Sequence, residues 1–344
     1  MEIPYPAPLT YFRAMGGEPE TREPVRLEVV PGITAVDTGM VGQRELNSVY
    51  VIEGPEPTLV EAGPGADGPV VVAALDELGI GPADLAHIVV THIHLDHAGG
   101  AGALLRRFSK ATLWVHEKGA PHLVDPSRLV ASTARTYGEE RMRTFYGETV
   151  PVDPRRIRVV SNGDRIELGN RVLDVLHTPG HASHHVAFLD DVTGAIFTGE
   201  ATGSYLPWAP CYRPALPPPE VDLEQALASI EAIRERRPTW LLTSHFGPVE
   251  NAEAGCEQAS ARIRSWAGQV RAALERDPDA STDLVAEGLR ALAERDFLAD
   301  AGRSMTDTDL ARYDALGSIR MNAEGLSRYW RKRWEREGTL GAGA

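Results

Sequence analysis

One short segment of the chain holds three histidines and an aspartate within six residues, and it limits the fold more than any other feature. It directly follows the apolar run Ile88–Thr91, which predicts a buried strand, and its polar members are His92, His94, Asp96 and His97. An H-x-H-x-[DE]-H arrangement is expected by chance only about 0.002 times in a chain of this composition. The fold must therefore support a dense polar cluster at the end of a strand.

The residue types in this segment are those that bind metal ions. His92 and His94 lie two residues apart in an extended turn, so their imidazole nitrogens can reach one ion, while Asp96 and His97 can face a second. Imidazole and carboxylate ligands suit Zn²⁺ best and also suit Fe or Mn, and distances of about 2.0–2.2 Å are usual for zinc. The sequence therefore predicts two divalent ions, and the ligand types alone do not select the metal.

Composition excludes several classes of protein. The chain has 344 residues and a formal net charge of −14, and this acidic balance argues against nucleic acid as a partner because binding to phosphates needs cations. No apolar run approaches the roughly 20 residues of a membrane span, and residues Met1–Tyr11 lack the pattern of a secretory signal. We therefore expect a cytoplasmic protein that acts on a small-molecule substrate. Cys211 and Cys256 are too far apart to indicate a disulfide framework or a thiolate metal site.

Strand and helix patterns alternate up to about residue 252, and every later pattern is helical. We therefore predict a catalytic domain over residues 1–252 and a C-terminal helical extension over residues 253–344. Residues 119–154 are less regular and form a candidate lid, and Gly203–Pro219 should be an irregular loop. A capping box at Thr306 and Asp309 predicts the start of a last helix that carries Leu310, Tyr313, Leu316 and Ile319.

The extension ends with Trp330 and Trp334, which would be unusual if they were fully exposed. The C-terminal helices are therefore expected either to cover the site or to join two subunits in a homodimer.

Four motifs together resemble the metallo-β-lactamase superfamily. The first is the H-x-H-x-D-H segment at 92–97, and the later three are Thr178-Pro179-Gly180-His181, Thr198-Gly199-Glu200-Ala201 and Ser244-His245-Phe246-Gly247. The resemblance extends over nearly the whole chain to about residue 250. It implies an α/β (α+β) fold of the αββα type, in which two mixed sheets pack face to face with helices outside and the ligands lie on loops along one edge.

The resemblance also implies a role for each motif residue. His92, His94 and His181 would hold one metal ion, Asp96, His97 and His245 would hold the second, and Glu200 occupies the slot of the bridging acid. The family usually has aspartate in that slot, and Glu61 likewise stands where the family has an aspartate that supports the ligand loop. With an acid at position 200, the chain resembles the glyoxalase II, lactonase and phosphodiesterase branches of the superfamily. A narrower resemblance is to a poorly characterised prokaryotic group, and it is carried by the segments His94–Gly102, Gly119–Pro126 and Thr178–His185.

Two ions about 3.5–4 Å apart can share a water molecule and supply metal-bound hydroxide near pH 7, so no serine or cysteine nucleophile is needed. Asp96 is the candidate catalytic residue that orients the nucleophile and carries a proton. The expected reaction is hydrolysis of an ester, thioester, lactone or phosphodiester of a small organic substrate. Candidate substrate-binding residues are Tyr137, Tyr146, Tyr205, Trp208, Tyr212 and His184.

Two alternatives remain open at this stage. Iron in the same fold supports oxygen chemistry, so an iron-dependent oxidoreductase or oxygenase would use the same ligands. A metal-binding module without catalytic activity, whose helical cap binds a partner, is the other alternative. Metal analysis with oxygen uptake would identify the first, and a complete site without hydrolytic activity would identify the second.

Overall fold

The computed structural model describes residues 23–315 and 318–338 and shows alternating strands and helices followed by a helical C-terminal part. The strands are β1 Val25–Val30, β2 Ile33–Asp37, β3 Ser48–Ile52, β4 Thr58–Val60, β5 His87–Val89, β6 Thr112–His116, β7 Ile157–Val160, β8 Arg165–Glu167, β9 Val172–His177, β10 Val186–Asp190, β11 Ile196–Gly199, β12 Ser204–Leu206, β13 Cys211–Arg213 and β14 Leu241–Thr243. The helices are α1 Gly68–Glu77, α2 Leu95–Ala98, α3 Ala101–Arg107, α4 Ala120–Val124, α5 Ser127–Tyr137, α6 Glu139–Arg141, α7 Leu223–Glu235, α8 Ala252–Arg276, α9 Thr282–Ala301, α10 Asp307–Tyr313 and α11 Ser318–Glu337.

The strands form two mixed sheets and one small hairpin. The first sheet has the order β1-β2-β3-β4-β5-β6-β7, antiparallel up to β4 and parallel from β4 to β7. The second has the order β14-β11-β10-β9-β8, and β14 runs parallel to β11 while the other pairs are antiparallel. Strands β12 and β13 form a separate antiparallel pair.

The two sheets pack face to face with helices on both outer sides, which confirms the αββα sandwich. Between the sheets, Tyr50 of β3 contacts Phe197 of β11 with ring centroids 5.4 Å apart, within one buried apolar cluster. Leu75 of α1 belongs to the core outside the first sheet, and Ile230 of α7 and Trp266 of α8 belong to the core outside the second. Strands buried on both faces explain the continuous apolar runs in the sequence.

The C-terminal helices share their core with the second sheet. One buried cluster includes Ile196 and Leu241 from that sheet and Phe297 and Leu326 from helices α9 and α11. Trp330 is 8% exposed, and its indole N–H donates to the carbonyl of Ala267 in α8 at 3.0 Å. This packing accounts for Trp330 within the chain, while the division at residue 252 and the homodimer stay predictions.

Two local predictions were wrong. Residues 204–206 and 211–213 form the β12–β13 hairpin instead of an irregular loop, because Tyr205 pairs across the strands with Tyr212 and packs against its ring with centroids 5.2 Å apart. The capping box at Thr306 is present, but the helix that it begins ends at Tyr313, and Ile319 belongs to α11. Leu316 and Met1–Tyr11 lie outside the described residues.

The candidate lid at residues 119–154 contains α4, α5, α6 and a single π-helical turn at Met142–Tyr146. Helix α5 has no fully buried residue, but Leu129, Val130 and Ala134 pack on a small apolar cluster that includes Leu95. This packing positions α5 above the loop that carries the histidine motif. Within the parts of the chain that the structure describes, no helix is long and apolar enough to cross a bilayer.

Candidate metal centre

The seven residues from the four motifs come together at one edge of the sandwich, where several strands end. His92 and His94 lie in the loop after β5, and the following helix α2 carries Asp96 and His97. Loops after three strands of the second sheet supply the other members, which are His181 after β9, Glu200 after β11 and His245 after β14. The order of the strands therefore brings together residues that are far apart in the sequence.

Three histidines form the first group of potential ligands, called ligand set one. His92 Nε2 lies 3.0 Å from His94 Nδ1, and His181 Nε2 lies 2.9 Å from the same His94 nitrogen. The side chains of His92 and His181 are almost inaccessible to solvent. Three ring nitrogens thus face one point, in an arrangement suited to a metal ion.

Asp96, His97 and His245 form the second group, called ligand set two. The Nε2 atoms of His97 and His245 lie 3.1 Å apart. Asp96 Oδ2 is 3.3 Å from the His245 nitrogen and 3.8 Å from that of His97. This set is likewise compact enough to hold one ion.

Glu200 lies between the two sets. Its Oε2 atom is 2.9 Å from His181 Nε2, 3.4 Å from His92 Nε2 and 3.5 Å from His97 Nε2. Its Oε1 atom is 3.9 Å from His245 Nε2. The glutamate side chain therefore reaches both sets, as the slot of a bridging acid requires.

Backbone carbonyl oxygens fix the outer nitrogens of two imidazoles. His181 Nδ1 is 2.8 Å from the carbonyl oxygen of Ala215, and His245 Nδ1 is 2.8 Å from that of Leu46. A carbonyl oxygen can only accept, so each outer nitrogen carries a proton, and the inner nitrogen is the one left to bind a metal ion. The ligand types are imidazole and carboxylate, gathered in compact groups, and the residues therefore fit metal binding.

Glu61 connects the loops that carry the ligands. Its buried carboxylate accepts from the Thr91 hydroxyl at 2.5 Å, from the Ser244 hydroxyl at 3.0 Å and from the Thr91 backbone N–H at 3.2 Å. Glu61 Oε1 also lies 3.2 Å from His97 Nδ1, and the Thr91 oxygen lies 3.0 Å from His92 Nδ1. One carboxylate thus fixes the outer nitrogen of His97 directly and that of His92 through Thr91.

His185 supports Glu200 through the backbone, a role that none of the four motifs predicts. Its Nε2 atom accepts a hydrogen bond from the Glu200 N–H at 3.1 Å, and its Nδ1 atom lies 2.8 Å from the Thr178 hydroxyl. Gly199 permits this approach because a Cβ there would be 2.6 Å from His185 Nε2. The sequence signal for this role is weak, because it consists only of a histidine that directly follows His184.

The charges of the centre favour positive ions. Burial raises the pKa of the Asp96 carboxyl, but the histidines beside it, His97 first, outweigh burial and lower the pKa to about 2. Burial likewise opposes ionisation of Glu200, yet the contact with His181 brings the pKa of this carboxyl well below its usual value. Burial lowers the pKa of His94 to about 3, so this ring is neutral and available as a ligand.

A cavity of about 320 Å³ opens onto both ligand sets. Tyr137 and Tyr146, whose rings are 5.6 Å apart, line it on the side of the candidate lid. His184 also lines it, with its ring centroid 5.9 Å from that of His94, and so does Met321 of α11. These positions agree with contact between a small substrate and three of the six candidate substrate residues.

The other three candidates do not line this cavity. Tyr212 is 1% exposed within the helical core, and Tyr205 packs against it. Trp208 contacts the ring of Phe297 at 5.8 Å between centroids. The β12–β13 hairpin directs these aromatic side chains toward the C-terminal helices, and this long-range packing has no signature in the local sequence.

A model of the metallo-beta-lactamase superfamily matches residues 42–245, which is more than half of the chain and contains all seven motif residues. The chain belongs to this superfamily. The solved structure of a metallo-beta-lactamase family protein from Thermus thermophilus has a TM-score of 0.60 at 19% identity, with 89% of this chain and 95% of that chain covered. At this identity the likeness concerns the fold alone.

Among curated members of the superfamily, a metallo-beta-lactamase fold-containing protein of Sulfurisphaera tokodaii is 26% identical over 223 residues, covering 63% of this chain and 79% of that protein. An acyl-coenzyme A thioesterase of Gallus gallus is 33% identical over 38% of this chain and 47% of its own length. A hydroxyacylglutathione hydrolase of Synechococcus is 28% identical over 45% and 48%. The chain thus spans about half the length of these two enzymes, which at the family level support a metal-dependent hydrolase.

Proposed function

We propose that this protein is a dinuclear metal-dependent hydrolase that cleaves an ester, thioester or lactone bond in a small organic substrate. The observation that carries the proposal is the position of Glu200, whose Oε2 atom lies within 2.9–3.5 Å of ring nitrogens from both ligand sets. A carboxylate between two groups of imidazoles is suited to a pair of ions close to each other. A single ion would leave one of the two compact sets without a cation.

Ligand set one and ligand set two would each hold one ion, with Glu200 shared between them. Bound divalent ions would lower the pKa of water toward 7 and would polarise the carbonyl oxygen of a substrate. Zinc is the proposed metal because neutral imidazoles and carboxylates are its common ligands in hydrolases, while iron and manganese accept the same types.

Asp96 is the proposed catalytic carboxylate. It is ionised at neutral pH because its pKa is lowered to about 2, and its side chain borders the cavity beside His245. A carboxylate in this position can accept a hydrogen bond from the attacking water and orient it toward the substrate. It can then take the proton that the water loses and pass it to the departing oxygen or sulfur.

The cavity supports a small organic substrate. Its volume of about 320 Å³ is at the lower end of the usual range for ligand sites, about 300–1,000 Å³, and Leu129, Leu216 and Met321 give it an apolar wall. Burial raises the pKa of the Tyr146 phenol well above its usual value, so this lining residue stays protonated at the edge of the cavity. The name of the thioesterase relative supports acyl transfer to water over phosphodiester cleavage.

The test is an activity panel on protein of known metal content. Zinc-loaded protein should hydrolyse at least one of a series of nitrophenyl esters, acyl thioesters and lactones, and His94→Ala should lose this activity while remaining folded. His87→Gln is the matched control, since His87 pairs with Glu56 and Trp114 away from the centre and should leave activity unchanged. Unchanged turnover in His94→Ala would contradict the proposal, and stoichiometric iron with oxygen consumption would favour the oxidoreductase instead.

A further inference from the structure

A short proline-rich segment lies between ligand set one and the C-terminal helix α11. This segment, residues 214–219, is called the strap, and it lines the cavity along its whole length. Four of its six residues are prolines, which have no N–H to donate, so the strap cannot be held by a regular ladder of backbone hydrogen bonds. Side chains from other elements must therefore fix its position.

The strap fixes the orientation of a metal ligand. The carbonyl oxygen of Ala215 accepts the Nδ1–H of His181 at 2.8 Å. This contact sets the tautomer of His181 and directs Nε2 toward His94 Nδ1 and Glu200 Oε2, each 2.9 Å away. A displacement of the strap would therefore rotate the imidazole or remove the acceptor that keeps its outer nitrogen protonated.

Asn322 of α11 holds the strap on both sides of Ala215. Its Oδ1 atom accepts from the Leu216 backbone N–H at 2.9 Å, and its Nδ2 atom donates to the Pro214 carbonyl at 2.9 Å. Its second amide hydrogen is used as well, since Nδ2 also donates to the Ser318 carbonyl at 2.7 Å. The side chain is 2% exposed, so bulk water has almost no access to these bonds.

Gly325, one turn further along α11, lets the helix approach the strap. A Cβ at this position would lie 2.0 Å from the carbonyl oxygen of Leu216 and 3.0 Å from the strap atoms that follow. Glycine inside a helix is destabilising relative to alanine, and here this effect is offset by close contact with the strap. The helix itself is held in the core by Ala323 and Leu326, both fully buried.

We infer that Asn322 is a positioning residue for the metal centre, and that the C-terminal helical extension thereby completes ligand set one. The connection runs from the Asn322 amide to the backbone around Ala215, and from the Ala215 carbonyl to His181. This inference rests on the proposed metal centre, but it does not depend on the substrate. It also gives α11 a role beyond covering the cavity.

Metal affinity of the full-length protein tests the inference without an activity assay. Asn322→Ala should bind one of two zinc ions about 10–100-fold more weakly in competition with a chelator, because loss of a group that supports a ligand has that effect. It should also change the absorption spectrum of the cobalt-substituted protein. Ser327→Ala is the matched control, since Ser327 is 3% exposed on the same helix and its hydroxyl has no hydrogen-bond partner within the described residues; it should bind both ions as the wild type does.

Asn322→Asp covers the case in which the alanine variant fails to fold. Its carboxylate still accepts from the Leu216 N–H but cannot donate to the Pro214 carbonyl, so the affinity for one ion should again fall. A folded Asn322→Ala or Asn322→Asp variant with wild-type affinity for both ions and an unchanged cobalt spectrum would overturn the inference. A wild-type protein that binds two ions yet hydrolyses nothing in the panel would instead contradict the proposed function and leave this inference standing.

Discussion

Replacing Glu61 with glutamine should weaken both the fold and the metal centre, because a neutral amide cannot satisfy the donors that surround this carboxylate. The Thr91 hydroxyl, the Thr91 N–H, the Ser244 hydroxyl and His97 Nδ1–H all donate to Glu61 within 3.2 Å. If the glutamine oxygen takes the place of Oε1, its NH₂ group faces the Thr91 N–H. In the opposite orientation the NH₂ group faces His97 Nδ1–H, so either orientation leaves a buried donor without an acceptor.

The magnitude follows from these contacts. A buried donor left without a partner costs about 1–3 kcal/mol, and a hydrogen bond to a charged acceptor contributes roughly 1 kcal/mol more than one to a neutral acceptor. Glu61→Gln should therefore lower the free energy of unfolding of the metal-free protein by about 3 kcal/mol, measured by urea denaturation. Its affinity for zinc should fall about 10–100-fold, because His97 loses a charged partner and the contact of Thr91 with His92 is disturbed.

Asp190→Asn is the matched control for Glu61→Gln. Asp190 is fully buried and accepts from the Thr193 N–H, the Thr193 hydroxyl and Arg171, far along the second sheet from the metal ligands. This variant should lose stability for the same reason but keep its zinc affinity. If Glu61→Gln is folded and binds zinc as tightly as the wild type, the reasoning about Glu61 is refuted.

Three further predictions follow from the geometry. Gly199→Ala should lower the free energy of unfolding by about 3 kcal/mol in urea denaturation, since the residue has φ +52° and its new Cβ would lie 2.5 Å from the Thr91 hydroxyl. The control Gly268→Ala, which has open space around the new Cβ, should not be destabilised. Cys211 and Cys256 are buried and burial raises the pKa of each thiol to about 12, so mass spectrometry should find alkylation at pH 8 only after unfolding, and rapid labelling of native protein would contradict this. Removal of metal with a chelator should lower Tm in calorimetry, and zinc at 1,000 times its Kd should restore about 4 kcal/mol of stability; an unchanged Tm would argue against metal binding.

The seven motif residues could be predicted as candidate ligands because their chemistry is concentrated in short segments. His92, His94 and His97 stand so close together that chance cannot account for them, and His181 and His245 each lie in a short motif at the end of a strand. The αββα fold followed from the resemblance that these motifs carry. Strand and helix periodicity agreed with it but does not determine how sheets are stacked.

Apart from Glu61, the residues that support the ligands could not be predicted in the same way. Asn322 acts on His181 from a distant part of the chain through the backbone of the strap, and nothing in the local sequence of α11 indicates this contact. The presence of an aromatic residue likewise does not indicate which way its side chain points, since Tyr137 borders the cavity while Tyr212 is packed among helices. Such assignments depend on long-range packing, which a pattern along the chain does not encode.

The two positions at which this chain departs from the usual aspartate, Glu61 and Glu200, share a structural feature. Each acid is placed by a left-handed turn at the end of a strand, because Glu61 itself has φ +64° and Gly199 before Glu200 has φ +52°. The backbone N–H of each is already used, donating to the Val89 carbonyl at 2.9 Å and to His185 Nε2 at 3.1 Å respectively. The backbone is thus anchored on the sheets, and only the carboxylates extend into the centre. The Glu200 side chain therefore extends from a fixed backbone position. It is longer than that of aspartate, and its carboxylate contacts both ligand sets.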